Sequence, residues 1–282
     1  MTAQNSKIVT YLLTVFVLLH AVHGSVIDRR TQYTLNKNAI TWNKNCDAAN
    51  PKNKQETKRA AVERAWVGAL ELSSTAWNRF NTVTWPRIKQ TQLTEDAQQY
   101  IYLHDPGPGK NGRPKDAELE ISCADTWEEE DGSDACMNSA GTGSVAWTDS
   151  DSDEETSTIN FCPSFWAQPR FDKLKSESAA KIQSRYQDMD YMGTDALVVI
   201  HELTHLWWIG PTNAEVDEVY GFVQGTELAW NCGMPEPNNE EVVENADTYA
   251  FYAEYGYWRA KGIDNLWPKS TGDPVYIPVE NY

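Results

Sequence analysis

The sequence is poor in basic residues, in histidine and in long apolar stretches. It has 24 lysine and arginine residues against 41 aspartate and glutamate residues, which gives a net charge of −17. A chain this acidic is not expected to bind nucleic acid or anionic membranes, and it favours cationic partners. Beyond residue 24, no apolar run is long enough to cross a bilayer. We therefore expect neither a nucleic acid nor a membrane as the partner of the mature protein.

Residues 1–24 have the pattern of a secretory signal peptide. Lys7 precedes an apolar run at residues 8–19 that is too short to span a bilayer, and Val22-His23-Gly24 precedes the expected cut before Ser25. The alternative is an uncleaved membrane anchor. Cleavage would leave residues 25–282 as a secreted, extracellular protein of net charge −18, because Lys7 is the only charged residue removed. The pair Arg29-Arg30 is either a further processing site or an exposed pair without a function.

The chain has few cysteines and lacks an Asn-x-Ser/Thr sequon, so N-glycosylation is not expected. In a secreted protein, cysteines are expected to form disulfides. Because the number is odd, one cysteine is free or pairs with another chain. The five are Cys46, Cys123, Cys136, Cys162 and Cys232.

The length and the apolar content fit one folded domain. The chain has 282 residues, 40% of them apolar, with twelve tryptophans and thirteen tyrosines, and it contains no internal repeat or linker. Apolar periodicity predicts helices at residues 55–80, 94–104, 171–186, 194–210 and 240–261, and strands at residues 118–123, 144–147 and 158–161. Residues 31–54 are predicted to be irregular. We expect an α+β domain, with a helical half and a small antiparallel sheet.

The most informative stretch is His201-Glu202-Leu203-Thr204-His205, which has the HExxH pattern of zinc proteases. On a helix, positions i and i+4 share a face, so His201 and His205 can bind one metal ion. Glu202 lies beside them, where it can take a proton from a metal-bound water. The alternative is a chance pattern on a buried helix, in which core hydrogen bonds satisfy both histidines.

A catalytic zinc site usually needs a third protein ligand in addition to a water. The carboxylates that follow the HExxH helix are the candidates for this position. They are Glu215, Asp217 and Glu218.

Downstream of the HExxH motif, the chain resembles the aspzincin metalloendopeptidases, the family of deuterolysin and the peptidyl-Lys metalloendopeptidases. In that family HExxH is followed by GTxxDxxYG. Here Asp217, Tyr220 and Gly221 match the D-x-x-Y-G portion, and Asn213-Ala214 replaces the leading Gly-Thr. The resemblance implies that Asp217 is the third ligand of one Zn²⁺ per chain. It also implies that Tyr220 stabilises the oxyanion of the reaction or holds Asp217.

The resemblance extends to residues 245–251, which are similar to the family's NAD-x-(Y/H) segment. In members that cut before lysine, this Asp and a Glu three residues later line the pocket for the lysine side chain. Asp247 is retained here, but Ala250 stands in place of the Glu. The resemblance thus implies that Asp247 binds substrate and favours basic residues after the cut. The alternative for Asp247 is a structural cap or an ion-pair partner.

The resemblance covers about residues 38–258 and also implies a disulfide pattern. It pairs Cys46 with Cys123 and Cys136 with Cys162, which leaves Cys232 over. The family fold that it implies is a zincin-like metalloprotease domain, mainly helical with a small antiparallel sheet. This domain would occupy residues 25–282.

These features together predict a secreted zinc endopeptidase that acts on protein or peptide substrates and is a monomer. The alternative is a secreted zinc-binding, scavenging or host-interaction protein with little peptidase activity. Glu202 favours the enzyme, because binding a metal ion does not require a base at that position.

Overall fold

The computed structural model describes residues 40–79, 118–128, 132–137, 144–150, 156–186, 192–206, 220 and 245–263. All of these residues fall within the unit Thr34–Tyr282. Several predictions lie outside the described residues, among them the signal peptide, the helix at residues 94–104, Asp217 and Cys232. Within the described ranges, no helix combines the length and the apolar character that crossing a membrane requires.

The described helices agree with most of the predicted ones. They are α1 (Lys58–Arg79), α2 (Phe171–Leu174), α3 (Ala179–Arg185), α4 (Asp195–Thr204) and α5 (Ala246–Ala260). The single helix predicted at residues 171–186 is wrong, because two short helices occupy this stretch. The Ser178 side chain accepts a hydrogen bond from the backbone N–H of Lys181 and so starts α3 as a new helix.

The sheet is mixed, which corrects the predicted antiparallel sheet. Its strands β1 (Ile40–Trp42), β2 (Glu118–Ser122), β3 (Ala146–Asp149) and β4 (Thr156–Phe161) lie in the order β1-β2-β4-β3. β2 is parallel to both β1 and β4, and among these four strands only β3 and β4 pair in an antiparallel way. The physical reason is the length of the connections, since parallel neighbours need long crossovers and a short loop gives an antiparallel pair.

Strand β1 lies in the stretch that was predicted to be irregular, so that prediction is wrong for residues 40–42. Three residues are too few to display an alternating pattern. Ile40 is buried, and the strand is defined by its pairing with Leu119, Glu120 and Ile121 of β2. The partner strand, which is distant in sequence, thus determines the conformation of β1.

Helices α1, α4 and α5 pack against one another, and α4 also contacts β3. The close approach of α1 to α4 depends on Gly68. A Cβ atom at that position would lie 2.8 Å from Phe171 Cδ1 and 2.9 Å from the Cβ of Ala196 on α4. Helix α4, which carries the HExxH motif, therefore packs against both other long helices and against the sheet.

Both predicted disulfides are confirmed. Cys46, in a 3-10 helix that follows β1, is bonded to Cys123, the residue directly after β2. Cys136 is bonded to Cys162, which follows β4. The bonds tie the connections of the sheet to the ends of its two central strands, and the described architecture is α+β.

Candidate metal centre

Helix α4, which carries the HExxH motif, is fixed at its N-terminus. The Thr194 side chain caps the helix by accepting a hydrogen bond from the backbone N–H of Leu197. Asp195 accepts a bond of 2.9 Å from the backbone N–H of Phe171 and is paired with Arg64 on α1. Burial raises the pKa of Asp195, and the positive charge of Arg64 opposes this effect. The buried ion pair thus connects α4 to α1.

The two histidines of the motif meet at the C-terminal end of α4. Their Nε2 atoms are 3.2 Å apart, and both side chains are buried. The imidazole rings are inclined at 70° to each other, so that the nitrogens converge although the rings do not stack. The two imidazoles that the sequence offers to one metal ion therefore have their Nε2 atoms close together, and the metal ion itself stays a prediction.

The distance between the two Nε2 atoms fits a tetrahedral zinc site. With zinc–nitrogen bonds of about 2.0–2.1 Å and tetrahedral angles, two ligand nitrogens are expected to lie about 3.3 Å apart. Two neutral imidazoles cannot both point lone pairs at each other at this distance without repulsion. A shared proton or a cation between the nitrogens removes that repulsion, and a divalent cation with nitrogen ligands fits the donor set.

Glu202 is held by a residue that the sequence reasoning missed. Thr148, on β3, donates a hydrogen bond of 2.7 Å to Oε2 of Glu202, and its hydroxyl is also 3.2 Å from the backbone oxygen of Glu202. Both residues are buried. The structure turns Thr148 inward and Trp147 outward, whereas the predicted strand ended at residue 147 and its apolar Trp147 would have been expected to face the core. The sequence therefore carried no signal for this contact.

Asp247 and Tyr220 both lie beside His201. Oδ1 of Asp247 is 2.6 Å from Nδ1 of His201, and Asp247 is only 7% exposed. The ring of Tyr220 is nearly parallel to that of His201, at 22° with 6.2 Å between ring centroids, and Tyr220 is 63% exposed. Tyr220 is thus at the solvent side of the candidate site, whereas Asp247 is at its buried side.

Helix α5 contacts α4 at a second point, near the start of α4. The Glu254 carboxyl, fully buried, lies against Thr194, and its Oε1 accepts a hydrogen bond from the indole Nε1 of Trp258. Because Asp247 at the start of α5 meets the end of α4, and Glu254 further along α5 meets the start of α4, the two helices are antiparallel.

Within the described part of the chain, no group of three or more His, Cys, Asp or Glu side chains has a metal-binding arrangement. The predicted third ligand, Asp217, lies outside that part. Of the predicted site residues, the described structure brings together His201, His205, Glu202, Tyr220 and Asp247. No protein-family model matches the chain, and no curated protein matches it either.

Proposed function

We propose that the protein is a secreted, zinc-dependent endopeptidase with a zincin-like domain of the aspzincin type. One observation carries the proposal. The Nε2 atoms of His201 and His205 converge to 3.2 Å, and Glu202 lies beside them on the same helix. The two disulfides support secretion, because such bonds persist in oxidising compartments.

The residues that we propose as ligands are His201, His205 and Asp217. Zinc in such a site supplies Lewis acidity, which polarises a carbonyl group and makes water nucleophilic near neutral pH. The chain itself must then move a proton and bind the substrate. Binding a metal ion alone would not explain why Glu202 is held at this place by Thr148.

In the proposed mechanism, Glu202 accepts the proton of the attacking water and transfers it to the leaving amine. The hydrogen bond from Thr148 holds the Glu202 carboxylate in one orientation during these transfers. Tyr220 is proposed to stabilise the oxyanion, and its exposure and its contact with the ring of His201 support this role. Each of these steps uses a side chain at the C-terminal end of α4 or beside it.

Strand β3 is suited to align a peptide substrate next to Glu202. Among the described residues, β4 is the only strand that pairs with β3, so β3 forms an edge of the sheet. An extended peptide can add to such an edge through backbone hydrogen bonds. Because Thr148 is in β3, a peptide bound there would pass close to Glu202.

The test is peptide cleavage by the wild-type protein and by Glu202→Gln at equal zinc content. The glutamine keeps the size of the side chain and an oxygen for Thr148, but it cannot accept a proton. We expect kcat/KM to fall by about 10²–10⁴-fold, since this is the usual contribution of a general base. Glu118→Gln, which changes an exposed glutamate at the start of β2, is the matched control and should remain active.

Cleavage of casein should also stop when a chelator is added and return when zinc is restored. A peptide library would measure any enrichment of Lys or Arg at the first position after the cut. If the folded wild-type protein binds one zinc ion but cleaves nothing, the peptidase proposal is wrong. The result would then favour the alternative of a secreted zinc-binding protein.

A further inference from the structure

Asp247 and His201 form the shortest described polar contact of the candidate site. Nδ1 of His201 is 2.6 Å from Oδ1 of Asp247, while Nε2 of the same ring is directed at Nε2 of His205. One imidazole thus has a carboxylate on one nitrogen and the proposed metal position on the other. Both side chains are about nine-tenths buried, so bulk water does not weaken the contact.

The contact with Asp247 determines which nitrogen of His201 can bind a metal ion. When Nδ1 carries the ring proton and donates it to a carboxylate, Nε2 keeps its lone pair for a metal ion. The carboxylate also fixes the direction of the ring and makes Nε2 a stronger donor. We propose that Asp247 is a positioning residue that orients His201 as a metal ligand, and that it is not the residue that binds the substrate.

Burial of Asp247 argues against a role in substrate binding. Only 7% of the residue is exposed, and Oδ1 is engaged by His201. Ala250, one helical turn further along α5, is fully buried and adds no polar group. A lysine side chain would have to lose its hydration to reach a carboxylate that is already engaged. The surroundings of Asp247 therefore suit a fixed hydrogen bond better than a specificity pocket.

The packing of α5 on α4 keeps Asp247 in place. Asp247 is in the first turn of α5, where a negative charge is favoured by the helix dipole. Seven residues later Glu254 meets Thr194, which itself lies seven residues before His201. Two contacts with equal spacing define the register of the two antiparallel helices, and this register places the backbone of Asp247 beside His201.

The experiment measures zinc affinity, and it rests on the proposed metal site but not on peptidase activity. The dissociation constant of zinc is determined by competition with a chromophoric chelator for the wild type, Asp247→Asn and Asp247→Ala. We expect both substitutions to raise the dissociation constant of zinc by about 10–100-fold, the usual effect of removing such a carboxylate. Asp125→Asn, which changes an exposed aspartate paired with Lys58, is the control and should leave it unchanged.

Two further measurements distinguish an effect of Asp247 on the orientation of His201 from an effect on folding or on cleavage specificity. The visible spectrum of the Co²⁺-substituted protein reports ligand geometry, and it should change in Asp247→Asn while circular dichroism stays that of a folded protein. Peptide-library cleavage should keep its preference at the first position after the cut. An unchanged zinc dissociation constant together with a lost Lys or Arg preference would overturn the inference.

The outcomes also distinguish this inference from the proposed function. If the wild type binds zinc but cleaves no peptide, the peptidase proposal fails, and weaker zinc binding by Asp247→Asn still supports the positioning of His201. If the wild type binds no zinc at all, both proposals are wrong.

Discussion

The buried Glu254 carboxyl provides the most quantitative prediction about stability. The residue is fully buried in α5, and burial raises its pKa to about 8, although hydrogen bonds from Trp258 and Thr194 oppose the effect. Among the described residues, no hydrogen-bond partner of normal geometry reaches its Oε2 atom. The folded protein therefore holds Glu254 in its neutral form at pH 7. The exposed glutamate of the unfolded chain is ionised at that pH.

The free energy of unfolding should consequently fall as the pH rises. The folded state keeps a proton that the unfolded state has lost, so unfolding releases a proton between the ordinary pKa of 4.5 and about 8. The stabilisation is fully present below pH 4.5 and is lost on the way to the folded-state value. Linkage gives a loss of roughly 3 kcal/mol between about pH 5 and pH 8 from this one group.

Glu254→Gln removes this titration, because the amide has the shape of the protonated acid and stays neutral. Urea unfolding should be followed by tryptophan fluorescence at several pH values between 5 and 8, with a chelator present to remove metal effects. The difference in unfolding free energy between the variant and the wild type should grow with pH by roughly 3 kcal/mol. Parallel curves for the two proteins would refute the reasoning, and Glu118→Gln should give a curve parallel to the wild type.

Three further predictions concern the packing of α4. Gly68→Ala should lower the unfolding free energy by about 1–3 kcal/mol in thermal unfolding, because the new methyl group overlaps Phe171; an unchanged value would contradict the tight contact. Arg64→Leu should lower the unfolding free energy by roughly 3 kcal/mol, because it leaves the buried Asp195 charge unpaired. Adding Asp195→Asn removes that charge and should restore part of the lost unfolding free energy. Thr148→Val should lower kcat by about 10-fold or more with unchanged zinc affinity, whereas Thr148→Ser should retain activity. Equal activity of both variants would exclude a positioning role for the hydroxyl.

The features that could be predicted from the sequence are those with a local signal. The periodicity around Trp66 predicted α1, and the HExxH spacing predicted that the imidazoles of His201 and His205 converge. The two disulfides were also correct, but they came from the family resemblance, since spacing alone does not select a pairing. Local rules suffice for α1 and for the two histidines because each of these features lies within one helix.

The features that the sequence did not yield depend on partners distant in the chain. Strand β1 exists through its pairing with β2, whose partner residues lie 79 positions later (Ile40 with Leu119), and the parallel direction of that pairing depends on the crossover between them. The contact of Thr148 with Glu202 joins residues 54 positions apart, and that of His201 with Asp247 joins residues 46 positions apart. No periodic pattern in either segment indicates which residue of the other it will meet.

Contacts with residues distant in the chain hold the side chains of the HExxH motif in position. Thr148 of β3 donates a hydrogen bond to Glu202, and Asp247 of α5 contacts His201. Side chains of α4 are thus held both by the sheet and by the neighbouring helix. The second contact between α5 and α4, at Glu254 and Thr194, lies seven residues away on both helices, a rise of about 10.5 Å on each. Sliding α5 by one turn, about 5.4 Å, would break both contacts together. The register that stabilises the helix pair is therefore the same register that orients the proposed metal ligand, so a substitution that shifts the packing of α5 on α4 should also weaken metal binding.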